Sequence, residues 1–401
     1  MINLKIMKLQ SKKSQKNTIY MTRLFAQAAE KFGWTIGGFA LAFEISGSTG
    51  VMALSLSMLS LATIASGMLS RYRILFAPSM IRRALKWRSI SFLLMFLGYH
   101  VNHLAPVIFG GATSGIFVGM FWPTFYRIQT IEGSDFSEWY SFEKACGIIL
   151  TGFSGPAIAF LGVAPVMLLS LVAVLMSYSF SLRLKEDGFH CDEVNEIDLS
   201  KNRFSLEDLR SFPSLLALIE GCFNSMANLT RLLVMLTGTV VVQGLPGYIS
   251  LAILLPVSGF CGAIFTWILE RFVHRHRVIE IGLILSVVSC SLLLSEKTWF
   301  IGMIGLTSGS AVIFPVLKKG VEDGLSELGL GGRGLREFSR NIGRLGGSII
   351  ISAIWTINPQ LFNSTLAIIA SIVLLAMFWA IGKNMLNSHN HILGHQSEYS
   401  I

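Results

Sequence analysis

The sequence predicts an all-α membrane protein: twelve transmembrane helices built as two parallel six-helix repeats. The first observation is a shortage of charge. Charged residues are 14% of the chain and hydrophobic residues 52%, against about 25% charged in a soluble protein. The second is where the charge is missing. Ser89–Tyr126, Ala145–Leu182, Leu232–Leu269 and Leu345–Gly382 each run 38 residues without Asp, Glu, Lys or Arg. One crossing needs about 20 residues, so each run holds two helices and a turn. The third is an internal duplication, taken up below.

In order, 1–19 is a basic tail with Lys5, Lys8, Lys12, Lys13 and Lys16, and no cleavable signal-like core precedes the first span. Span 1 is expected near Tyr20–Glu44 and span 2 near Val51–Leu69. A loop over Arg71–Arg88 then carries Arg71, Arg73, Arg82, Arg83, Lys86 and Arg88 with no acid. Spans 3 and 4 share the first long run and turn at Val101–Pro106. Spans 5 and 6 share the second and turn near Gly162–Pro165. The polar segment 183–212 links the halves. Spans 7 and 8 turn at Gly244–Gly247, and a basic loop with Arg271, Arg275 and Arg277 follows. Spans 9 and 10 turn at Ser295–Trp299, and Lys318–Arg340 is expected to be a charged loop. Spans 11 and 12 turn at Asn358–Gln360, and 383–401 is a tail.

Across the six predicted outer turns the only Lys or Arg is Lys297. The positive-inside rule therefore places both termini and every basic loop in the cytoplasm, in a cell inner or plasma membrane. The net charge of +9 is explained by those loops and does not call for nucleic acid as a partner. Five cysteines without paired spacing point to structural residues, with neither disulfide nor metal chemistry. No nucleophile–base pair, metal-ligand spacing or phosphate loop lies in the spans, so neither an enzyme nor a cofactor is expected.

The duplication is read from four matches. Gly111-Ala-Thr-Ser-Gly115 in span 4 repeats as Gly305-Leu-Thr-Ser-Gly309 in span 10, an offset of 194, and Pro123 repeats as Pro315 at 192. Glu143 and Glu337 are 194 apart, and Glu30 and Glu220 are 190 apart. An even number of helices per repeat gives both halves, 20–182 and 213–382, one orientation. Two such halves, a polar linker and a basic loop after the second helix of each half resemble the major facilitator superfamily of transporters. That family often carries an acid–Arg pair with further basic residues in the loop between helices 2 and 3. Here Glu270 and Arg271, with Arg275 and Arg277, keep it in the second half. The first half has Arg71 and Arg73 without the acid. The resemblance implies a gating role for these loops and a central cavity lined by spans 1, 4, 7 and 10.

Polar stripes fall on those spans. Span 7 carries Glu220, Asn224, Asn228 and Arg231 at spacings 4, 4 and 3, one face of a helix. Span 1 carries Arg23, Gln27, Glu30 and Trp34 at 4, 3 and 4. Trp122, Tyr126 and Arg127 lie late in span 4, and Arg340 and Arg344 in span 11. Charges this deep are kept where they line water or meet a partner. Arg231 either touches a substrate or locks span 7 to span 1 through Glu30. Glu30 and Glu220 either take a coupling proton or form inner salt bridges, Glu30 with Lys31 or Arg23. Arg344 either pairs with Glu337, serves a cytoplasmic gate or meets a ligand. Trp34 and Trp122 either stack on a substrate or pack. The expected cavity is Glu30, Trp34, Trp122, Glu220, Asn224, Asn228, Arg231 and Arg344.

The function these residues suggest is secondary active transport of a small organic solute. The arginines favour an anionic or zwitterionic one, with a proton as candidate coupling ion. The chain is expected to act as a monomer among membrane lipids. A lipid or lysolipid flippase on the same fold, and a receptor or assembly protein that no longer transports, remain open alternatives.

Overall fold

A computed structural model describes residues 17–47, 78–131, 149–150, 152–184, 210–272, 275–293, 295, 297–309 and 329–357. Spans 2 and 12, residues 1–16 of the first tail, residues 185–209 of the linker and the whole second tail lie outside these residues, as do Arg71 and Arg73. The described residues are helical or in short turns, with no strand among them.

Span 1 is helical from residue 17 and ends at Ser46, where Gly47 takes φ 61° and its N–H bonds back to Phe43 at 2.7 Å. This left-handed cap is one that glycine adopts without strain. The middle of the span, Glu30–Gly38, is π-helical. Gly33 and Gly37 sit in that stretch, and a Cβ on them would collide with Ser170 and Met167 of span 6. Glycine therefore lets span 1 lie directly on span 6.

Span 3 is Pro78–Val101, which corrects the expected loop over Arg71–Arg88. Proline suits a first helical turn, and nothing after it breaks the helix until Asn102, at φ 51°. Arg82, Arg83, Lys86 and Arg88 are thus helical residues. Arg82 donates to the carbonyl of Ser181 at 3.4 Å, and the Lys86 ammonium lies 6.0 Å from the Tyr178 ring. Long basic chains at a span end keep their heads near the polar boundary while their stems pack. Span 4 follows at once as Leu104–Ile131. Spans 5 and 6 are Gly152–Leu161 and Val163–Ser181, joined at Gly162 with φ 83°.

Span 7 is Phe212–Leu236, extended by a π-helical turn over Thr237–Val241, and Gly244 leads into span 8, Leu245–Phe272. Span 9 is Arg275–Leu292, span 10 is described over Trp299–Gly309, and span 11 is Gly329–Ile357. Span 11 corrects a second expected loop, since residues 329–340 are helical. Leu104–Trp122, Val163–Ser181 and Leu245–Gly262 are long and apolar enough to cross a membrane.

The helices alternate in direction. The start of span 1 meets the end of span 6, through a Ser177 hydroxyl donating to Thr22 at 2.7 Å and stacked Phe25 and Phe180 rings. At the opposite end, Glu44 and Ile45 share a pocket with Tyr99, His100 and Asn102. Span 5 meets span 8 across the two halves, where a Cβ on Gly155 would overlap the Tyr248 carbonyl and Ala252.

The tightest seam joins spans 7 and 11. A Cβ on Gly221 would overlap the Arg340 carbonyl, and one on Gly343 the Leu218 carbonyl. Ser214 and Ser339 share a hydrogen bond of 2.6 Å, as do Ser225 and Ser348. Without a hydrophobic drive between helices in lipid, small residues that admit backbone contact and hydroxyls that bridge it supply the attraction.

Replacing Gly343 by valine is expected to lower thermal stability in detergent by about 1–3 kcal/mol, the range for overpacking. Gly346, three residues on, has nothing within 4 Å of a Cβ. Gly346→Ala should leave the melting temperature unchanged or slightly raised, as scanning calorimetry or fluorescence melting would show.

Candidate functional site

One carboxylate in each half, Glu30 half-buried and Glu220 fully buried, lies in the polar interior. Glu30 closes the α-helical start of span 1, where the π-helical stretch begins. The structure adds a cation that the sequence reading had left in a loop, because Arg88 of span 3 lies within coulombic reach of Glu30. Arg88 is 0% exposed and is the largest fully buried side chain described. Its guanidinium donates to the Ser114 hydroxyl of span 4. It also lies 4.9 Å from the Phe92 ring and 5.0 Å from the Phe117 ring. A planar, weakly hydrated guanidinium suits such faces, and the cation–π attraction offsets part of its desolvation.

The signal for Arg88 was in the sequence. On a helix begun at Pro78 the buried positions include Ile81, Ala84, Leu85, Arg88, Ser91, Phe92 and Met95, the spacing of one apolar face. Arg88 occupies a core position of that pattern. Counting it among the basic residues of a loop hid this.

Towards the start of span 1, Arg23 is 3% exposed, 5.7 Å from the Trp122 ring and 5.2 Å from the Phe125 ring. Trp122 thus packs beside Arg23 of span 1, in edge contact with Phe121 and Phe125. Gln27, one turn before Glu30, is also buried.

In the second half Glu220 is 1% exposed and its Oε1 lies 3.2 Å from Nε of Arg340. Its other oxygen, Oε2, is buried and makes no hydrogen bond among the described residues. Arg340 was noted in the sequence without a partner. The close seam between spans 7 and 11 brings the two together. Asn224 follows Glu220 by one turn and is half-buried. Arg344 donates to the side-chain oxygen of Asn341 at 3.4 Å, and the side chain of Glu337, its expected partner, is not described. Trp34, Asn228 and Arg231 lie on helical backbone in spans 1 and 7, but their side chains fall outside the described ones. The same holds for Glu270 and Arg271 in the last turn of span 8 and for Arg275 at the start of span 9.

The repeat shows which of these features are particular to one half. At the offset of 194 set by Thr113 and Thr307, Ser114 corresponds to Ser308 and Arg88 to Gly282. In the second half, a Cβ on Gly309 would meet the carbonyl of Gly282 at 2.7 Å. Helix backbones therefore touch where the first half inserts an arginine. Arg88 has no repeat counterpart.

Among the described residues no group of three or more His, Cys, Asp or Glu side chains is placed to hold a metal. Cys222, Cys261 and Cys290 are free thiols within helices.

The arrangement is that of the major facilitator fold: helical spans in two repeated halves, with charged residues buried along spans 1 and 7. The chain superposes on the nucleoside transporter NupG with a TM-score of 0.70 over 92% of its length and 99% of the other's, at 12% identity. It superposes on a peptide transporter POT, in complex with sulfate, with a TM-score of 0.60 over 91% of its length and 94% of the other's, at 13% identity. The chain thereby shares the fold of these two transporters. No family model and no curated protein sequence matches the chain.

Arg88→Met is expected to destabilise the protein by about 1.5–3 kcal/mol, the loss of the charged hydrogen bond to the buried Ser114 hydroxyl. Ser114→Ala should cost about 1.5–3 kcal/mol, the loss of one hydrogen bond to a charged group. Arg88→Lys should not restore the wild-type value, because an ammonium lacks the planar face that packs between two rings. Unfolding in detergent, followed by tryptophan fluorescence, measures all three.

Proposed function

We propose that this chain is a secondary active transporter. It carries a small anionic or zwitterionic organic solute across the membrane by alternating access, with its two halves rocking about a site near mid-membrane. The observation that carries the reading is the burial of ionised and amide side chains on spans 1 and 7, inside a major facilitator fold. Charge is expensive at that depth and is kept where it meets water, a partner or a ligand.

The proposed cavity comprises Glu30, Trp34, Trp122, Glu220, Asn224, Asn228, Arg231 and Arg344. The segments bearing Arg71, Arg73, Glu270, Arg271 and Arg275, the last three on the facing ends of spans 8 and 9, act as the gate on the side facing the cytoplasm. Both termini lie on that side of an inner or plasma membrane, and the chain works as a monomer. Guanidinium groups at Arg231 and Arg344 favour carboxylate or phosphate on the solute. A proton taken up at Glu30 or Glu220 drives the cycle, and a pH gradient supplies it.

The test is uptake into proteoliposomes under an imposed pH gradient. Nucleosides and peptides, the classes in the names of the two structural neighbours, are tried beside organic carboxylates and phosphates. Arg231→Ala is expected to lose about 2 kcal/mol or more of substrate binding, roughly 30-fold in affinity. Unchanged flux and affinity in that variant would remove Arg231 from the site, and no gradient-driven uptake of any solute would overturn the transport reading.

A further inference from the structure

Two carboxylates occupy repeat-related places, yet their surroundings differ in kind. The Glu30 side of the repeat is locked. Its cation, Arg88, is fully buried, bonded to Ser114 and flanked by two phenyl rings. Moving it would open a void in the core. On the other side, Oε1 of Glu220 lies 3.2 Å from the Arg340 Nε, its one ion-pair contact among the described residues. A guanidinium and a carboxylate at their best align two parallel hydrogen bonds, and this pair does not. Glu220 Oε2 is buried without a hydrogen-bond partner among the described residues, an expensive state for half of a carboxylate.

Arg340 also stands in a series. Arg336, Arg340 and Arg344 follow each other at intervals of four residues along span 11, about 6 Å apart on one side of the helix. Arg336 is 9% exposed, Arg340 has 21% of its side chain exposed, and Arg344 is half-buried. Three guanidinium groups thus step along one helix beside the polar face of span 7.

We propose that Glu220 is a built-in stand-in for substrate. The carboxylate or phosphate of an organic anion takes its place on Arg340, and Arg336 and Arg344 hold the anion one turn before and after. This rests on the transport reading above and sharpens it. It adds Arg340 and Arg336 to the site and makes the second half, through spans 7 and 11, the seat of anion selectivity. The exchange needs no helix movement, because the glycine and serine seam already fixes the two backbones together. It replaces one imperfect carboxylate contact with another carboxylate or a phosphate. It concerns the second half alone and leaves Glu30 in the role proposed above.

The test is binding, read as the ligand concentration at half-maximal thermal shift of the purified full-length protein in detergent. Benzoate and adenosine monophosphate serve as carboxylate and phosphate probes, and adenosine as the uncharged control. At least one anion should stabilise the wild type, and adenosine should not. Glu220→Gln removes the competitor and should lower the midpoint for that anion about tenfold. Arg340→Gln should abolish the shift. Because Arg340 lies on the tight seam, Arg340→Lys and Arg336→Gln are measured beside it, each expected to raise the midpoint in protein that elutes as a folded monomer. Glu44→Gln, an acid at the far end of span 1, controls for the loss of one negative charge and should leave the midpoint in place.

The proposal is overturned if no anion binds, if Glu220→Gln leaves the midpoint unchanged or raises it, or if Glu44→Gln lowers it equally. Vesicle uptake separates this from the wider reading. Uncharged solute carried without anion binding would sink the stand-in and keep the transporter, whereas anion binding without flux would do the reverse.

Discussion

Backbone-to-backbone contact between spans 7 and 11 is the constraint on which the second half depends. Where Gly221 meets the Arg340 carbonyl and Gly343 meets that of Leu218, there is no side-chain layer between the helices. Two serine pairs then fix the axial register. That register decides which charges are neighbours. A shift of one residue would rotate Arg340 about 100° around its helix and separate it from Glu220. The ion pair is therefore a consequence of small residues elsewhere on the same faces.

The first half solves the same problem differently. Span 3 brings a cation into the core on a helix whose other buried positions are apolar or small, and span 4 supplies a hydroxyl and an aromatic face for it. Both halves place a glutamate in their first helix, and the cation near it comes from a different place in each. Arg88 comes from the third span of its half, and Arg340 from the fifth.

Much of the fold was legible because lipid imposes a strong rule. Long charge-free runs, glycine turns and basic loops announce the spans, and Gly162 and Gly244 sit at the predicted turns with positive φ. What misled the sequence reading was treating charge as a marker of loop. The loops expected up to Arg88 and up to Arg340 both run on as helix, since an arginine with a buried partner costs a helix no backbone hydrogen bond. The stripe on span 7 was visible from spacing alone. The partner of Glu220 was not, because pairing across helices is set by glycine contacts that no single-helix pattern records. Arg88 lay between these cases, legible once the helix is begun at its proline.

The contact of Gly155 with Tyr248 and Ala252 has a bearing on how the halves can part. It lies where span 5 of one half meets span 8 of the other, close to the turns at Gly162 and Gly244. A seal made of interlocking side chains can leak by degrees, as one rotamer after another swings aside. Bare backbone laid on backbone has nothing to swing. Parting that seam means moving the helices themselves, since no rotamer stands between them to turn.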